Sequence, residues 1–214
     1  MSVRDLRRAR GEATRSALLE AAIESVALHG LSGTTLSTVA EQAGVSRASV
    51  GFHFKGKEQL LSAALDLALE RYEMTFRGAL NRATTPRAKL EAILTHDVTF
   101  PIGFPSIIAL WFAVWGEAQS LALYRAGTLP HDRNYTKEIR DLAAALTDDA
   151  PLVKQFTSAF TFYLAGIWLD YHLDLERYDA DGKIATGQRL IAMLLDRSAR
   201  SRRVTSLTGP PPAS

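Results

Sequence analysis

Thr35, Ser37 and Thr38 set three hydroxyls at the start of a short amphipathic stretch. A helix start carries unsatisfied backbone N–H groups, and hydroxyls among them suit a phosphate oxygen. The same residues also serve as caps, Thr35 being placed to accept from a first-turn amide. Behind them Leu36, Val39, Ala40 and Ala43 recur at i, i+3, i+4 and i+7, which marks the buried face of a helix. Gly44 supplies the left-handed residue that ends this helix. Val45 can fill the angle that follows, and Ser46 is a good N-cap for the next element. Arg47 to His53 then spans about two turns, too short to persist without packing. Helix, short glycine turn and second short helix is the spacing of a motif that reads duplex DNA.

No catalytic or metal-binding constellation accompanies that motif. The histidines are His29, His53, His96, His131 and His172, and none stands at metal-ligand spacing. His96 neighbours Asp97, but adjacent helical positions do not face each other, so an acid–base pair is not expected. There is no GxSxG, Walker loop or GxGxxG. The expectation is a protein that is not an enzyme and has no catalytic residues, cofactor or metal. The remote alternative is a helical enzyme or carrier built on the aromatic body. With no cysteine there is no disulfide and no thiolate site, which suits the cytosol.

Charge is placed unevenly along the 214 residues. The net is +2, yet the first 57 residues alone carry eight basic and five acidic groups, a net of +3. A basic end on a near-neutral body is the footprint of a local nucleic-acid surface. Residues 1–10, with Arg4, Arg7, Arg8 and Arg10, read as mobile: either a solvated tail or an arm for phosphate or the minor groove. They lack the apolar segment of a secretory signal. No apolar run reaches membrane-spanning length, so no membrane partner is expected and the location is read as cytoplasmic.

The run T-T-L-x-x-V-A-x-x-A-G-V-S-x-x-x-V-x-F-H-F-K-x-K-E-x-L, within about residues 10–70, resembles the N-terminal domain of the TetR family of bacterial transcriptional regulators. Many positions agree in register, whereas a generic helix-turn-helix would share only the Ala, Gly and Val. The resemblance implies that Arg47, Ala48, Ser49, Gly51 and Phe52 face the major groove, with Ala48 and Phe52 against thymine methyls. It implies that His53 and Lys57 hold DNA phosphate, and that Val50 and Phe54 belong to the core. Gly51 departs from the tyrosine common in the family, and glycine inside a helix costs ~1 kcal/mol relative to alanine.

These elements need a scaffold, and the chain reads as all-α with about nine helices. The domains are expected at 1–56 (a three-helix DNA-binding head), 57–196 (a ligand-binding and dimerisation body) and 197–214 (a disordered tail). Helices are read at about Gly11–His29, Lys57–Asn81, Pro86–Thr99, Ser106–Glu117, Leu121–Thr147, Leu152–Leu175 and Ile184–Leu195. Phe100 to Pro105 is the clearest break in the body, and Asp148 to Pro151 a turn with acidic caps.

The body concentrates aromatic side chains: Trp111, Phe112, Trp115, Phe162, Tyr163, Trp168 and Tyr171. Such residues are what a helical core and a dimer seam require. They could equally line a ligand pocket between helices, in which Trp111, Phe112, Trp115, Tyr163, Trp168 and Tyr171 offer π faces to a cation. Glu117 or Asp170 would supply the counter-charge. The segments IIALWFAVWGEAQ, LALYR and YLAGIWLDYHL resemble the branch of regulators related to the choline-responsive repressor BetI, which implies a small-molecule effector, cationic by analogy. The family resemblance further implies a homodimer through the last two helices, seated on a double-stranded, palindromic DNA operator and released by effector. An effector-independent regulator or an activator is the alternative.

Overall fold

The computed structural model describes residues 2–117 and 128–207. Among the described residues there are nine α-helices, one short 3-10 turn and no strand, so the chain is all-α as its periodicity requires. Packing divides it into two units: Met1–Met74 with Phe104–His131, and Thr75–Gly103 with Asp132–Ser214. Helix α4 (Lys57–Arg82) runs unbroken through Met74 and Thr75, and α6 (Pro105–Gly116) belongs to the first unit.

In the first unit, α1 (Val3–Gly33) begins at Val3 rather than near Gly11. Residues 3–10 are therefore helical, not a mobile arm. Ser2 donates its backbone N–H to Asp5 Oδ2 at 2.9 Å, and Arg8 pairs with Glu12 one turn on. Acid near the first turn and an i,i+4 ion pair both favour helix there. Leu18, Leu19, Ala22, Ile23 and Val26 form the buried stripe of α1, and α2 (Leu36–Gln42) and α6 pack on it. Helix α3 (Arg47–His53) packs on α2. Gly44, at φ 65°, makes the turn between them. Arg71 of α4 grips Glu20 of α1 with both guanidinium nitrogens, one of them at 2.9 Å.

In the second unit, α5 (Pro86–Gly103) packs against α8 (Ala150–Leu173) and α9 (Ala180–Leu207), and α8 packs against α9. Gly187 of α9 permits the close approach: a Cβ there would stand 2.3 Å from Leu94 Cδ1. The expected break at Phe100 is displaced, because α5 continues through Pro101 to Gly103. Proline removes the bond that residue 101 would donate to the Asp97 carbonyl. The Trp168 indole N–H donates to that carbonyl instead, at 2.9 Å, and the Tyr178 hydroxyl donates to the next one, Val98, at 2.8 Å. With the freed Asp97 acceptor satisfied, the helix survives its proline.

Helix α7 (Leu129–Ala144) takes Pro130 into its first turn; the expected start at Leu121 lies outside the described residues. Asp149 caps α8, accepting from the Leu152 amide at 3.0 Å, as the acidic turn suggests. A 3-10 turn (Leu175–Arg177) precedes α9. The last helix runs past Leu195 to Leu207, into the stretch read as a disordered tail. No glycine or proline falls between Gly187 and Gly209 to stop it.

Candidate nucleic-acid interface

The start of α2 is closed by a reciprocal cap. Thr35 Oγ1 accepts from the Thr38 amide at 3.1 Å, and Thr38 Oγ1 accepts from the Thr35 amide at 2.8 Å. The Thr38 hydroxyl also donates back to the Thr35 carbonyl at 2.9 Å, while Ser37 stays exposed. Behind the cap, Ser25 and Thr34 are fully buried and joined at 3.2 Å, with Ser25 lying 3.3 Å from Thr38. This hydroxyl chain fixes the junction of α1 and α2. It is not visible in the sequence, because Ser25 sits among apolar residues at no motif spacing.

Ser46 caps α3 by accepting from the Ser49 amide at 3.2 Å. Val50 points inward and is fully buried; Phe54 is 1% exposed, with the Arg15 guanidinium 5.3 Å from its ring centre. The opposite face stands open. Arg47, Ala48, Gly51 and Phe52 are exposed, Ser49 and His53 partly so. Phe52 is 87% exposed, with its ring edge-on to His53 at 5.3 Å. No atom outside the helix lies within 4 Å of where a Gly51 Cβ would stand. The Lys57 ammonium donates to the Leu31 carbonyl at 2.6 Å and the Ser32 carbonyl at 3.4 Å, both at the end of α1.

The candidate ligand residues divide between the units. Trp111, Phe112, Trp115 and Glu117 belong to the first, where the Trp111 ring lies 6.5 Å from Trp115 and Phe112 lies edge-on to Trp115 at 5.3 Å. The same cluster holds Tyr72, 5.7 Å from Trp111, and His131, 5.2 Å from Tyr72 and 3.0 Å from a Glu73 carboxylate oxygen. Sequence spacing cannot link these, since they come from separate helices. The Trp115 indole nitrogen is buried without a hydrogen-bond partner. Glu117 is exposed at the end of α6.

Tyr163, Trp168, Asp170 and Tyr171 belong to the second unit. The Tyr163 hydroxyl donates to the Lys183 carbonyl at 2.5 Å, and the Lys183 ammonium pairs with Asp170. Trp168 stacks on Phe100, and Tyr171 meets Tyr178 edge-on at 5.0 Å. Burial pushes the phenols of Tyr163, Tyr171 and Tyr178 up.

Contrary to expectation, His96 and Asp97 do meet: His96 Nδ1 lies 3.0 Å from Asp97 Oδ1. Thr75 Oγ1 stands 2.9 Å from the other ring nitrogen, and the Tyr135 hydroxyl donates to Asp97 Oδ2. Both His96 and Asp97 are buried, so the group is a closed polar knot. Among the described residues no cluster of acids and histidines could hold a metal, and no single helix is long and apolar enough to cross a membrane.

Comparison with known proteins gives this geometry its context. Residues 18–64 match the family described as bacterial regulatory proteins, tetR family. The chain is similar to the transcriptional regulator BetI of Paraburkholderia phymatum, at 28% identity over 192 residues, covering 88% of this chain and 96% of that protein. Its fold is shared with a transcriptional regulator from Pseudomonas aeruginosa PAO1 (TM-score 0.75, 20% identity, covering 89% of this chain and 94% of that one). It is also shared with a transcriptional regulator from Saccharomonospora viridis solved in complex with choline (TM-score 0.71, 17% identity, covering 85% and 96%). Each of these proteins carries the name of a transcriptional regulator. The head thus matches the tetR family of bacterial regulatory proteins, and the chain as a whole is similar to HTH-type transcriptional regulators.

Proposed function

We propose that the protein is a homodimeric, cytoplasmic repressor that reads a palindromic operator with two copies of α3 and leaves it when a small cationic effector binds. The observation that carries the DNA-reading part is the two-sided character of α3. Val50 is wholly buried, while Arg47, Ala48, Gly51 and Phe52 offer one open face. Arg47 reads a guanine, Ala48 and Phe52 touch thymine methyls, and the amide and hydroxyl end of α2 meets phosphate. Paired α8 and α9 hold the two copies about one or more helical turns of DNA apart.

The effector part is supported by the aromatic side chains of both units and by the choline held in the S. viridis relative. Indole and phenol faces attract a quaternary ammonium. The effector acts by binding better to a conformation whose reading helices are misplaced. Helix α4 is the route, because one continuous helix contributes residues to both units.

Two measurements test the reading. Chromosomal fragments retained by the purified protein should yield a palindrome, and choline should both raise the thermal midpoint and lower retention of that fragment. Choline that changes neither quantity removes the cationic effector from the proposal. Arg47→Ala should lose about 1–3 kcal/mol on the selected operator and relax the choice of base at one position of each half-site. An equal loss on every duplex would take Arg47 out of the base-reading role.

A further inference from the structure

We infer that Lys57 is a positioning residue for the reading head, its ammonium closing the end of α1 rather than neutralising a DNA phosphate. The last carbonyls of a helix have no partner within it and gather negative partial charge. Helix α1 has no basic residue in its last turn to answer that charge. Beyond the bend at Gly30, where φ is 67°, this turn presents the Leu31 and Ser32 carbonyls to Lys57 Nζ at 2.6 and 3.4 Å.

Lys57 itself opens α4, where a cation opposes that helix's own positive end. The position is unfavourable for a lysine unless its charge is discharged nearby, and the end of α1 does this. The shorter contact spans 26 residues of chain, and the loop so closed contains the whole of α2 and α3. Lys57 therefore ties together the two helices that bracket the reading motif. With the buried Ser25–Thr34 contact on one side and the Phe54 anchor on the other, the clamp sets the attitude at which α3 is presented.

The inference rests on the reading of α3 given above, and the test separates the two. Full-length wild type and Lys57→Met are compared on the selected operator and on a random duplex of equal length. A positioning role predicts about tenfold weaker operator binding in Lys57→Met, the size of one misread base pair. Binding to the random duplex and the slope of log affinity against log salt should stay as in the wild type. A shallower slope by about 0.9, with both duplexes weakened alike, would show a lost phosphate contact and overturn the inference. So would a lower thermal midpoint with both affinities intact, since that is structural support alone.

Without DNA, amide exchange across Gly33–Leu36 should quicken in Lys57→Met, and unchanged exchange rejects the clamp. If the wild type does not distinguish operator from random duplex, the α3 reading falls, while the exchange comparison still decides the clamp.

Discussion

Phe162→Glu should turn the protein into a 23.4 kDa monomer and weaken operator binding by about a hundredfold or more. Phe162, Leu169 and Leu173 stand seven and four residues apart on one line of α8, and they are 77%, 44% and 74% exposed; Met193 of α9 is 63% exposed. Large apolar side chains lined up on the outer face of a long helix form the stripe that a partner helix covers. A two-fold interface repeats every contact, so one glutamate per chain takes two carboxylates out of water at the seam. Sedimentation reads the mass, and titration on the selected operator reads the lost second half-site. Met74→Glu is the control, a comparably exposed apolar position, 71% open, on α4 rather than α8. A Phe162→Glu protein that sediments at twice the chain mass with wild-type affinity would remove α8 from the dimer seam.

That stripe shows what the sequence can and cannot carry. Spacing of 3.6 places Val39 and Ala40 inside the head and the resemblance places Val50 there, and each is buried. Thr35 and Ser46 are legible as caps because capping is local chemistry, decided within one turn. The partners of long side chains are not local. Lys57 reads only as a phosphate ligand, by resemblance, until the end of α1 is brought beside it. His96 and Asp97 look mismatched by helical geometry alone. Yet Thr75 and Tyr135 meet the histidine and the carboxylate, and the two neighbours lie within hydrogen-bond reach of each other. Tyr72 and Glu73 of α4 and His131 of α7 join Trp111 of α6, a grouping that no single stretch of sequence encodes. The aromatic residues themselves are visible in the sequence; their division between two units is a property of the packing.

The displaced end of α5 yields the second large effect. Trp168→Phe should cost about 2–4 kcal/mol, part from the volume lost against Phe100 and part from an acceptor left without its donor. The acceptor is the Asp97 carbonyl, which Pro101 cannot serve and the Trp168 indole does. This account makes a sharper demand than simple destabilisation. Pro101→Ala restores a backbone N–H four residues after Asp97, so the carbonyl gains a donor within its own helix. In the Pro101→Ala background, Trp168→Phe should therefore cost less than in the wild type, by about 1–2 kcal/mol. Denaturant unfolding of the four proteins in the cycle measures the difference. Strict additivity would mean that the indole is held by packing alone, and that α5 tolerates its proline for some other reason. A positive coupling would establish Trp168 as the side chain that carries α5 across its proline, and effector titrations of Trp168 variants should then be made in the Pro101→Ala background.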